Sequence, residues 1–393
     1  MQSQVSRALS PEQLRQWCDF LAQAEHSHPE QNPRFADGWQ AQGHQILFAM
    51  GWRDGELRAV AMFVAEPHPV LPGYFPVAAA FSGPVCDDPR DMADFLTSLE
   101  RDAAFKHVGT LRVTPYWLAP GASGLAATLD RAGWTSFEPS YARSTGIYDL
   151  SGTADDILAQ FKKNARRELR RSWDFGLTTE YVRDEATAME AFPILQKHVE
   201  NRLAEPIAEA TYLEDFRNIY STDDLGSFFV VRHEGDIIAG AMNLRSRDTF
   251  FFRRFFIDDD ALPKLGKIRV APLIQYEGMK WGQEKRCRWA DENGYIHGLD
   301  PSHPLYQINK YKEAFNPTEV QRVPGHQRVL RPAICRTVDL AERATASAKT
   351  LVKALRKRLP ARKQAPDRIA GRPASRPTFS ANSKRGNRNA SRG

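Results

Sequence analysis

The chain has 393 residues, 42% hydrophobic and 26% charged, which is an ordinary globular composition but too long for one typical core. No apolar run reaches the ~18–20 residues that a membrane helix needs, and the first residues lack a leader-like apolar segment, so we expect a cytoplasmic protein. Four widely separated cysteines, without a Cys-x-x-Cys pair, argue against a zinc ribbon and a disulfide framework.

Helices and strands alternate in the first part of the chain. Ser10 and Pro11 are typical of a helix start, and a helix is predicted to follow them. Strands are then predicted over residues 45–49 and 57–65, joined by a turn, followed by a strand at 77–84, a helix at 91–105, a strand at 110–113, a helix at 125–132 and a strand at 144–150.

The second part of the chain repeats this order. Helices are predicted over residues 154–175, 187–203 and 268–282, and strands over 177–182, 228–232, 237–245, 249–256 and 287–290. A hairpin again lies at the centre. We therefore predict an α/β protein with mixed sheets, made of two similar lobes, residues 1–150 and 151–335, and a third region, residues 336–393.

The third region is strongly basic. Residues 336–393 hold 16 Lys and Arg against 3 Asp and Glu, a charge of +13, so residues 1–335 carry −7 of the total +6. An amphipathic helix is predicted to begin near Leu340, and a disordered tail is predicted after Pro360. Such a tail attracts a polyanion, which is either RNA or an anionic membrane surface. Attraction to the membrane would place the protein at the inner membrane face.

The helix predicted over residues 154–175 carries six cations on one side. Since residues four apart share a helix face, two adjacent columns form: Lys162, Arg166 and Arg170, and Lys163, Arg167 and Arg171. The column predicted to be buried is Ile157, Phe161, Ala165 and Leu169. A solvated face is the plain interpretation. The acidic body favours the alternative, a surface that binds phosphates through the planar guanidinium fork.

Residues 305–317 form a second candidate site. Two lysines flank a tyrosine there, and the residues that could bind or activate a substrate are Tyr306, Lys310, Tyr311 and Lys312. The residues alone leave two interpretations equally open: an active-site segment, or an amphipathic helix with Tyr311 and Phe315 packed inward. His297 and Asp300, just upstream, are candidate proton acceptors.

Other kinds of site have no support in the sequence. There is no P-loop, no Gly-x-Gly-x-x-Gly fingerprint and no Gly-x-Ser-x-Gly elbow. The histidines are scattered, so we predict no metal site and expect no resident cofactor. Residues 264–272, where an acetyltransferase would bind coenzyme A, contain one glycine, Gly266, and place Pro272 in the first helical turns.

Five short segments follow one another along the chain. They are His28-Pro29-Glu30-Gln31, Phe81-Ser82-Gly83-Pro84-Val85, Leu111-Arg112-Val113-Thr114-Pro115, Asp149-Leu150 with Phe161-Lys162-Lys163-Asn164-Ala165-Arg166, and Tyr311-Lys312-Glu313-Ala314-Phe315-Asn316. Together they resemble the Fem family (FemAB type) of peptidoglycan aminoacyltransferases over about residues 31–320. Ser82 and Thr114 stand where that family has arginine and glutamate, in the lobe that holds the acceptor.

The resemblance implies tandem acetyltransferase-like (GNAT) lobes and aminoacyl transfer from a charged tRNA to an amine of a peptidoglycan precursor. It also implies that Lys312 stabilises the carbonyl oxygen as it becomes anionic. The cation columns would then hold phosphates. Two alternatives remain: an N-acyltransferase of the same fold that uses acyl-CoA as donor, and a non-catalytic protein that binds RNA or membrane.

Overall fold

The computed structural model describes residues 1–71, 73–137, 143–203, 206–303 and 305–343. Within these residues, two seven-stranded mixed sheets and their helices confirm the predicted α/β class. One compact unit, Met1–Glu342, contains both sheets. Most of the predicted third region, residues 344–393, including the tail predicted after Pro360, lies outside the described residues. Among the described helices, none is both long and apolar enough to cross a membrane.

The first lobe is built from the N-terminal elements. They are β1 (Gln2–Ser6), α1 (Pro11–Gln23), α2 (Ala36–Ala41), β2 (Gln45–Arg53), β3 (Glu56–Ala65), β4 (Phe75–Ala80), α3 (Pro89–Leu99), β5 (Val108–Val113), α4 (Gly121–Arg131) and β6 (Thr135–Phe137). The predicted helix start is confirmed: the Ser10 hydroxyl accepts from Gln13 N at 3.2 Å, and the Gln13 side chain accepts from Ser10 N at 2.9 Å.

The second lobe follows. Its elements are β7 (Ser144–Asp149), α5 (Ala154–Gln160), α6 (Lys163–Asp174), β8 (Thr178–Tyr181), α7 (Glu185–Leu203), α8 (Glu209–Asp215), β9 (Gly226–His233), β10 (Asp236–Ser246), β11 (Thr249–Ile257), α9 (Leu262–Leu265), α10 (Ala271–Glu284), β12 (Trp289–Asp291), α11 (Tyr306–Lys312), β13 (Thr318–Gln321) and β14 (Gly325–Val329). A π-helix, Phe216–Tyr220, continues α8. The predicted hairpins β2–β3 and β9–β10 are both confirmed.

The two sheets exchange strands. The first sheet has the order β1-β2-β3-β4-β5-β14-β6, and the second has β13-β7-β12-β11-β10-β9-β8. The strand just before the predicted boundary at residue 150, β7, therefore pairs in the second sheet with β12 and β13. The strand β14, from the predicted second lobe, pairs in the first sheet with β5 and β6. The lobes are thus joined by two shared segments rather than by one linker.

Three hydrophobic cores pack against the two sheets. Alternate residues of one strand face opposite sides, so Phe48 and Met62 face an inner core while Leu47 and Phe63 face an outer one. The inner core also contains Phe228 of the second lobe, so the lobes share it. A third core lies between the second sheet and α5, α6 and α10.

The prediction of a single helix over residues 154–175 is wrong in one respect. The helix is interrupted at residues 161–162. Phe161 and Lys162 are extended, and α5 and α6 are separate helices. The Lys162 N–H donates to Ala314 O at 3.1 Å instead of to its own helix. The ring of Phe161 is buried 5.0 Å from that of Phe315, and this packing favours the break.

Candidate functional site

The cations of α6 lie on an exposed face of the second lobe. We call the side chains of Lys162, Lys163, Arg166, Arg167 and Arg170 the basic face; all are exposed or half-exposed. The column predicted to be buried is confirmed, with Ala165 and Leu169 in the core. The basic face starts beside the Lys312 segment, through the contact between Lys162 and Ala314.

Most of the charge on the basic face is not neutralised. Glu168 accepts two bonds from Arg171, at 3.0 and 3.1 Å, and one from Arg167 at 3.3 Å. Lys162, Lys163, Arg166 and Arg170 form no ion pair with the described residues. Trp173, 41% exposed, lies one turn beyond Arg170. Unpaired cations beside an exposed aromatic ring suit a phosphate-bearing ligand.

Lys312 is buried, with 7% of its surface exposed. Its Nζ donates to two backbone carbonyls, Glu292 O at 2.8 Å and Gly294 O at 2.5 Å. Burial lowers the pKa of Lys312, while the charges of Glu292 and Asp291 oppose this. Two of the three N–H donors are thereby committed to the loop after β12. The role at the carbonyl oxygen stays a prediction, and it would use the third donor.

A buried carboxylate lies beside Lys312. Glu292 accepts from Tyr148 OH and from Gln275 Nε2, both at 2.6 Å. Burial raises the pKa of Glu292, and the charge of Lys312 opposes the rise. Burial therefore disfavours the charged form of both groups, and their opposite charges partly offset this.

No described hydrogen bond joins the remaining predicted residues of the segment to Lys312 Nζ. Tyr311 packs on Phe315 and Phe255, with ring centroids at 5.1 and 5.2 Å, which is the packed-helix arrangement. Lys310 is exposed and pairs with Glu313 at 3.0 Å. Tyr306 is half-exposed.

The two predicted proton acceptors are exposed. The His297 ring nitrogen lies 3.1 Å from Tyr295 OH. Asp300 accepts from the Ser302 hydroxyl and amide, and these bonds lower the pKa of Asp300. No described contact joins either residue to Lys312, so their catalytic role stays a prediction.

One buried connection between the lobes was not predicted. Tyr116, in the loop after β5, donates through its hydroxyl to Asp291 Oδ2 at 2.7 Å. The other oxygen of Asp291 accepts from Thr145. Asp291 is fully buried and directly precedes Glu292. The first lobe is therefore hydrogen-bonded to the C-terminal end of β12, next to the loop whose carbonyl groups bind Lys312.

His28 lies beside this connection. Its ring is 5.1 Å from Tyr116 and 4.5 Å from Phe251, between centroids. Its Nδ1 accepts from Glu30 N at 3.2 Å, so Nε2 carries the proton, and that buried N–H has no described partner. Burial lowers the pKa of His28 to about 4, so the ring is neutral at pH 7.

The early motif segments meet in one corner of the first lobe. Gln31 donates to Phe81 O at 2.7 Å and accepts from Met62 N at 2.8 Å. A Cβ on Gly83 would lie 2.3 Å from Cδ of Gln31, so the close approach requires glycine. Ser82 extends the corner, because its amide donates to Thr114 Oγ1 at 2.9 Å.

A β-bulge places arginines between the lobes. The pairing of β10 and β11 shifts between Met242 and Asn243, opposite Arg254 and Phe252, so Arg253 is the extra residue. Bulges re-aim side chains and are frequent beside active sites. Arg254 is exposed and forms no hydrogen bond with the described residues.

Arg253 crosses from the second lobe to the first. Its Nη1 donates to Tyr220 OH at 2.8 Å and to Asp215 Oδ2 at 3.3 Å. Its guanidinium lies over the ring of Phe35, 4.6 Å from the centroid. These contacts fix the plane of a guanidinium that is only 15% exposed.

A small cavity of about 10 Å³, room for about one water molecule, lies at this junction. Its apolar wall consists of Phe35, Trp39, Met62, Val64 and Phe81. Its polar lining consists of Glu30, Gln31 and Arg253. The cavity therefore joins the motif corner of the first lobe to the bulge of the second.

The strands β11 and β12 part in the second lobe. They pair in parallel only from Thr249 to Phe251, and β11 then continues with β10 as its only partner among the described strands. Tyr311 lies beside this part of β11, because its ring contacts Phe255, and its hydroxyl donates to Gln275 of α10, the partner of Glu292.

The second helix after β11, α10, begins with backbone N–H groups that no side chain caps. The N-terminus of α10 has no side-chain cap, and Pro272 removes one of its free N–H donors. Lys267 and Arg269 are exposed in the preceding loop. Arg269 O accepts from Ser172 at 3.1 Å, so this loop contacts α6.

Comparisons with known proteins agree with this architecture. Residues 159–292 match the family model described as an acetyltransferase (GNAT) domain. The solved structure of FemX is similar, with a TM-score of 0.69 at 15% identity, over 84% of this chain and 97% of that chain. A conserved protein of unknown function from Bacteroides thetaiotaomicron has a TM-score of 0.54 at 13% identity, over 83% and 99%. No curated protein sequence matches the chain.

The matched domain and the shared fold define an acyltransferase with tandem GNAT-like lobes. This confirms the predicted fold class and the predicted enzyme class. Sequence reasoning missed Tyr116, Asp291 and Arg253. A signal existed for Arg253, because two arginines interrupt the otherwise aromatic strand β11. Tyr116 and Asp291 carried no such signal, since their pairing is formed only by the fold.

Proposed function

We propose that the protein transfers an aminoacyl group from aminoacyl-tRNA to an amine of a peptidoglycan precursor. The observation that carries this proposal is the basic face of α6, which is largely unpaired and begins beside the Lys312 segment. A donor that is a polyanion needs such a surface next to the transfer site. The order of the Fem-like segments and the similar fold of FemX support the same reading.

The proposed step exchanges an ester for an amide. The lone pair of the acceptor amine attacks the ester carbonyl carbon, a C–N bond forms, and the carbonyl oxygen becomes transiently anionic. The C–O bond to the ribose then breaks, and the ribose oxygen takes the proton that the amine releases. A positive charge near the carbonyl oxygen accelerates this step. Lys312 is the proposed source, acting through its third N–H donor or through the loop that it holds.

An N-acyltransferase that uses acyl-CoA is the second candidate. The α10 N-terminus with Lys267 and Arg269 favours it, because helix N-termini bind phosphates. Pro272 disfavours it, since it removes one backbone donor from that helix N-terminus. The third candidate, a non-catalytic protein that binds RNA or anionic membrane, would rely on the basic face and the tail.

The donor test uses the full chain. Transfer of a labelled amino acid from charged tRNA to precursor amines is compared with transfer from labelled acyl-CoA. Arg166→Ala/Arg170→Ala is expected to lower kcat/KM for tRNA and to reduce the salt slope by about 1 for each phosphate contact removed. Arg101→Ala/Arg131→Ala, at exposed first-lobe positions, is the matched control.

The outcomes separate the three candidates. Transfer from charged tRNA that depends on the basic face supports the proposal. Turnover of acyl-CoA without turnover of charged tRNA refutes it in favour of the second candidate. Binding of RNA or of anionic vesicles, without transfer from either donor, refutes it in favour of the third.

A further inference from the structure

The far end of α6 carries an aromatic side chain that the proposed step does not use. Trp173 is 41% exposed. The chain has eight tryptophans, all of them among the described residues, and the other seven are buried or half-buried. An indole ring gains much from burial. An exposed ring at the end of a row of cations is therefore a candidate contact for a ligand.

Trp173 is aligned with cations of the basic face. Residues seven apart in an α-helix lie two turns apart on nearly the same face. Trp173 follows Arg166 by seven residues, so its Cα lies about 10 Å beyond that of Arg166 along the helix axis. Arg170 lies between them, and Lys162, at the start of α6, lies about 16 Å before Trp173. The ring therefore ends a line of cations that begins beside the Lys312 segment.

The indole ring of Trp173 is held in place but is not enclosed. Its centroid lies 5.6 Å from that of Tyr276, with 76° between the ring planes. Rings so nearly perpendicular meet edge to face, so Tyr276 covers at most one face of the indole. The adjacent Ser172 hydroxyl donates to Arg269 O at 3.1 Å, which fixes this end of α6 against the loop before α10. A flat ligand can therefore stack on the ring without moving the helix.

A single-stranded nucleic acid fits the ring and the cations together. Its phosphates bind to spaced cations, and each of its bases has a flat face that stacks on an aromatic side chain. Bases inside a duplex are already stacked and paired, so an unpaired base suits Trp173 best. At the spacing of a stacked strand, about 3.4 Å per phosphate, the line from Lys162 to Trp173 matches about five nucleotides.

An anionic membrane surface fits the same features less well. A helix that lies on a membrane inserts a broad apolar face, with its cations on the polar face. The apolar side chains of α6, Ala165 and Leu169, are buried in the core of the second lobe. Along the line of cations, Trp173 alone would reach the lipid. One ring is a small area for insertion but is sufficient for stacking on one base.

We propose that Trp173 stacks on a base of a single-stranded RNA end while Arg166 and Arg170 bind its phosphates. The proposal rests on the proposed function in making this RNA the unpaired 3′ end of the aminoacyl-tRNA. The strand then runs along α6 from Trp173 toward Lys162. Its last ribose, which carries the amino acid, lies at the Lys312 end of the helix. Trp173 is a binding residue in this arrangement and takes no part in the chemical step.

The test measures binding to the full chain by fluorescence anisotropy at low salt, without any acceptor. The probe is a labelled five-nucleotide RNA that ends in CCA. Its matched ligand is a ribose-phosphate chain of the same length without bases, which has the same charge but nothing to stack. The RNA is expected to bind about 5- to 150-fold more tightly than the matched chain. Equal binding of the two ligands, or no binding of the RNA, would overturn the proposal.

Variants separate stacking from charge. Trp173→Ala is expected to weaken binding of the RNA about 5- to 150-fold and to leave the salt slope unchanged, because stacking releases no counterions. Trp173→Phe keeps an aromatic face and is expected to restore most of the affinity. Arg166→Ala/Arg170→Ala is expected to lower the salt slope by about 1 for each phosphate contact removed. A salt slope that falls in Trp173→Ala would contradict stacking.

Phe175→Ala is the matched control. Phe175 is 38% exposed at the same end of the helix, but its ring stacks on that of His233, with centroids at 4.8 Å. Two residues apart, Phe175 and Trp173 face different directions. Phe175→Ala is expected to bind the RNA as the wild type does. Equal binding by Phe175→Ala and Trp173→Ala would place the base elsewhere and overturn the proposal.

Two other ligands identify an alternative occupant of the ring. Binding of coenzyme A that depends on Trp173, without binding of the RNA, would assign the ring to the adenine of coenzyme A and overturn the proposal. Binding of phosphatidylglycerol vesicles that depends on Trp173, again without binding of the RNA, would assign it to a membrane surface and overturn the proposal.

These results are independent of the donor test. The RNA can bind equally to the wild type and to Trp173→Ala while charged tRNA still donates, which refutes the stacking and leaves the proposed function standing. The RNA can also bind through Trp173 while transfer uses acyl-CoA, which retains the stacking and refutes the proposed donor.

Discussion

Replacement of Lys312 tests whether its buried ammonium holds the protein together. In Lys312→Met, Glu292 O and Gly294 O lose their donor, and the Glu292 carboxylate loses the favourable charge of Lys312. Each buried acceptor left without a donor costs about 1–3 kcal/mol. Since two acceptors are left without a donor, we expect the free energy of unfolding to fall by about 2–6 kcal/mol at pH 7.

The assay is urea unfolding followed by tryptophan fluorescence and circular dichroism, with Glu292→Gln and the double variant Lys312→Met/Glu292→Gln completing a cycle. The double variant is expected to lose less than the sum of the single losses, because the two residues interact. A loss below about 1 kcal/mol in Lys312→Met would refute the structural role. The side chain would then be free to serve the reaction alone.

The pH dependence gives a second check on the same variant. Without Lys312, the folded pKa of Glu292 lies further above the unfolded value near 4.5. Between these two values the folded state binds more protons, so stability falls as the pH rises through that window. The loss caused by Lys312→Met should therefore shrink as the pH is lowered from 7 toward 4.5. A loss that grows on acidification would contradict the assignment.

Three further predictions concern the first lobe and its contact with the second. Tyr116→Phe removes the hydroxyl that binds the buried Asp291 carboxylate and should lower the free energy of unfolding by about 1–3 kcal/mol, measured in urea; an unchanged midpoint would contradict the contact. Gly83→Ala places a methyl group 2.3 Å from a side chain and should lower Tm, whereas Gly124→Ala, in an open helical position, should leave it unchanged or raise it; equal effects would refute the close approach. Burial raises the pKa of Cys86 to about 12, so iodoacetamide at pH 8 should label it only after unfolding, and rapid native labelling detected by mass spectrometry would refute this.

The sequence predicted the elements well because their signals are local. Residue periodicity located both hairpins, and Ser10 with its neighbours marked the start of α1. The break between α5 and α6 could not be predicted in this way. The backbone partner that ends the first helix, Ala314, lies about 150 residues away in the chain, and its position depends on the complete fold.

The sequence predicted only those parts of the candidate site where charged residues cluster along the chain. The basic face was recognisable because four of its cations are unpaired, and Lys312 was recognisable from its segment. Glu292 and Asp291 look like ordinary acids in the sequence. Their burial, and hence the shift in the pKa of Glu292, arises from residues of three other elements that converge on the end of β12. Contacts between elements that are distant in the chain leave no pattern in the local sequence from which they could be predicted.

The exchange of strands described for the two sheets limits how the chain can be divided. A fragment ending at residue 150 would leave β7 without its partners β12 and β13, and β5 and β6 without the strand β14 that separates them. The complementary fragment would expose β14 as an edge strand open to aggregation. Neither lobe is therefore an interchangeable module, and shuffling lobes among related proteins at that boundary would produce two incomplete sheets.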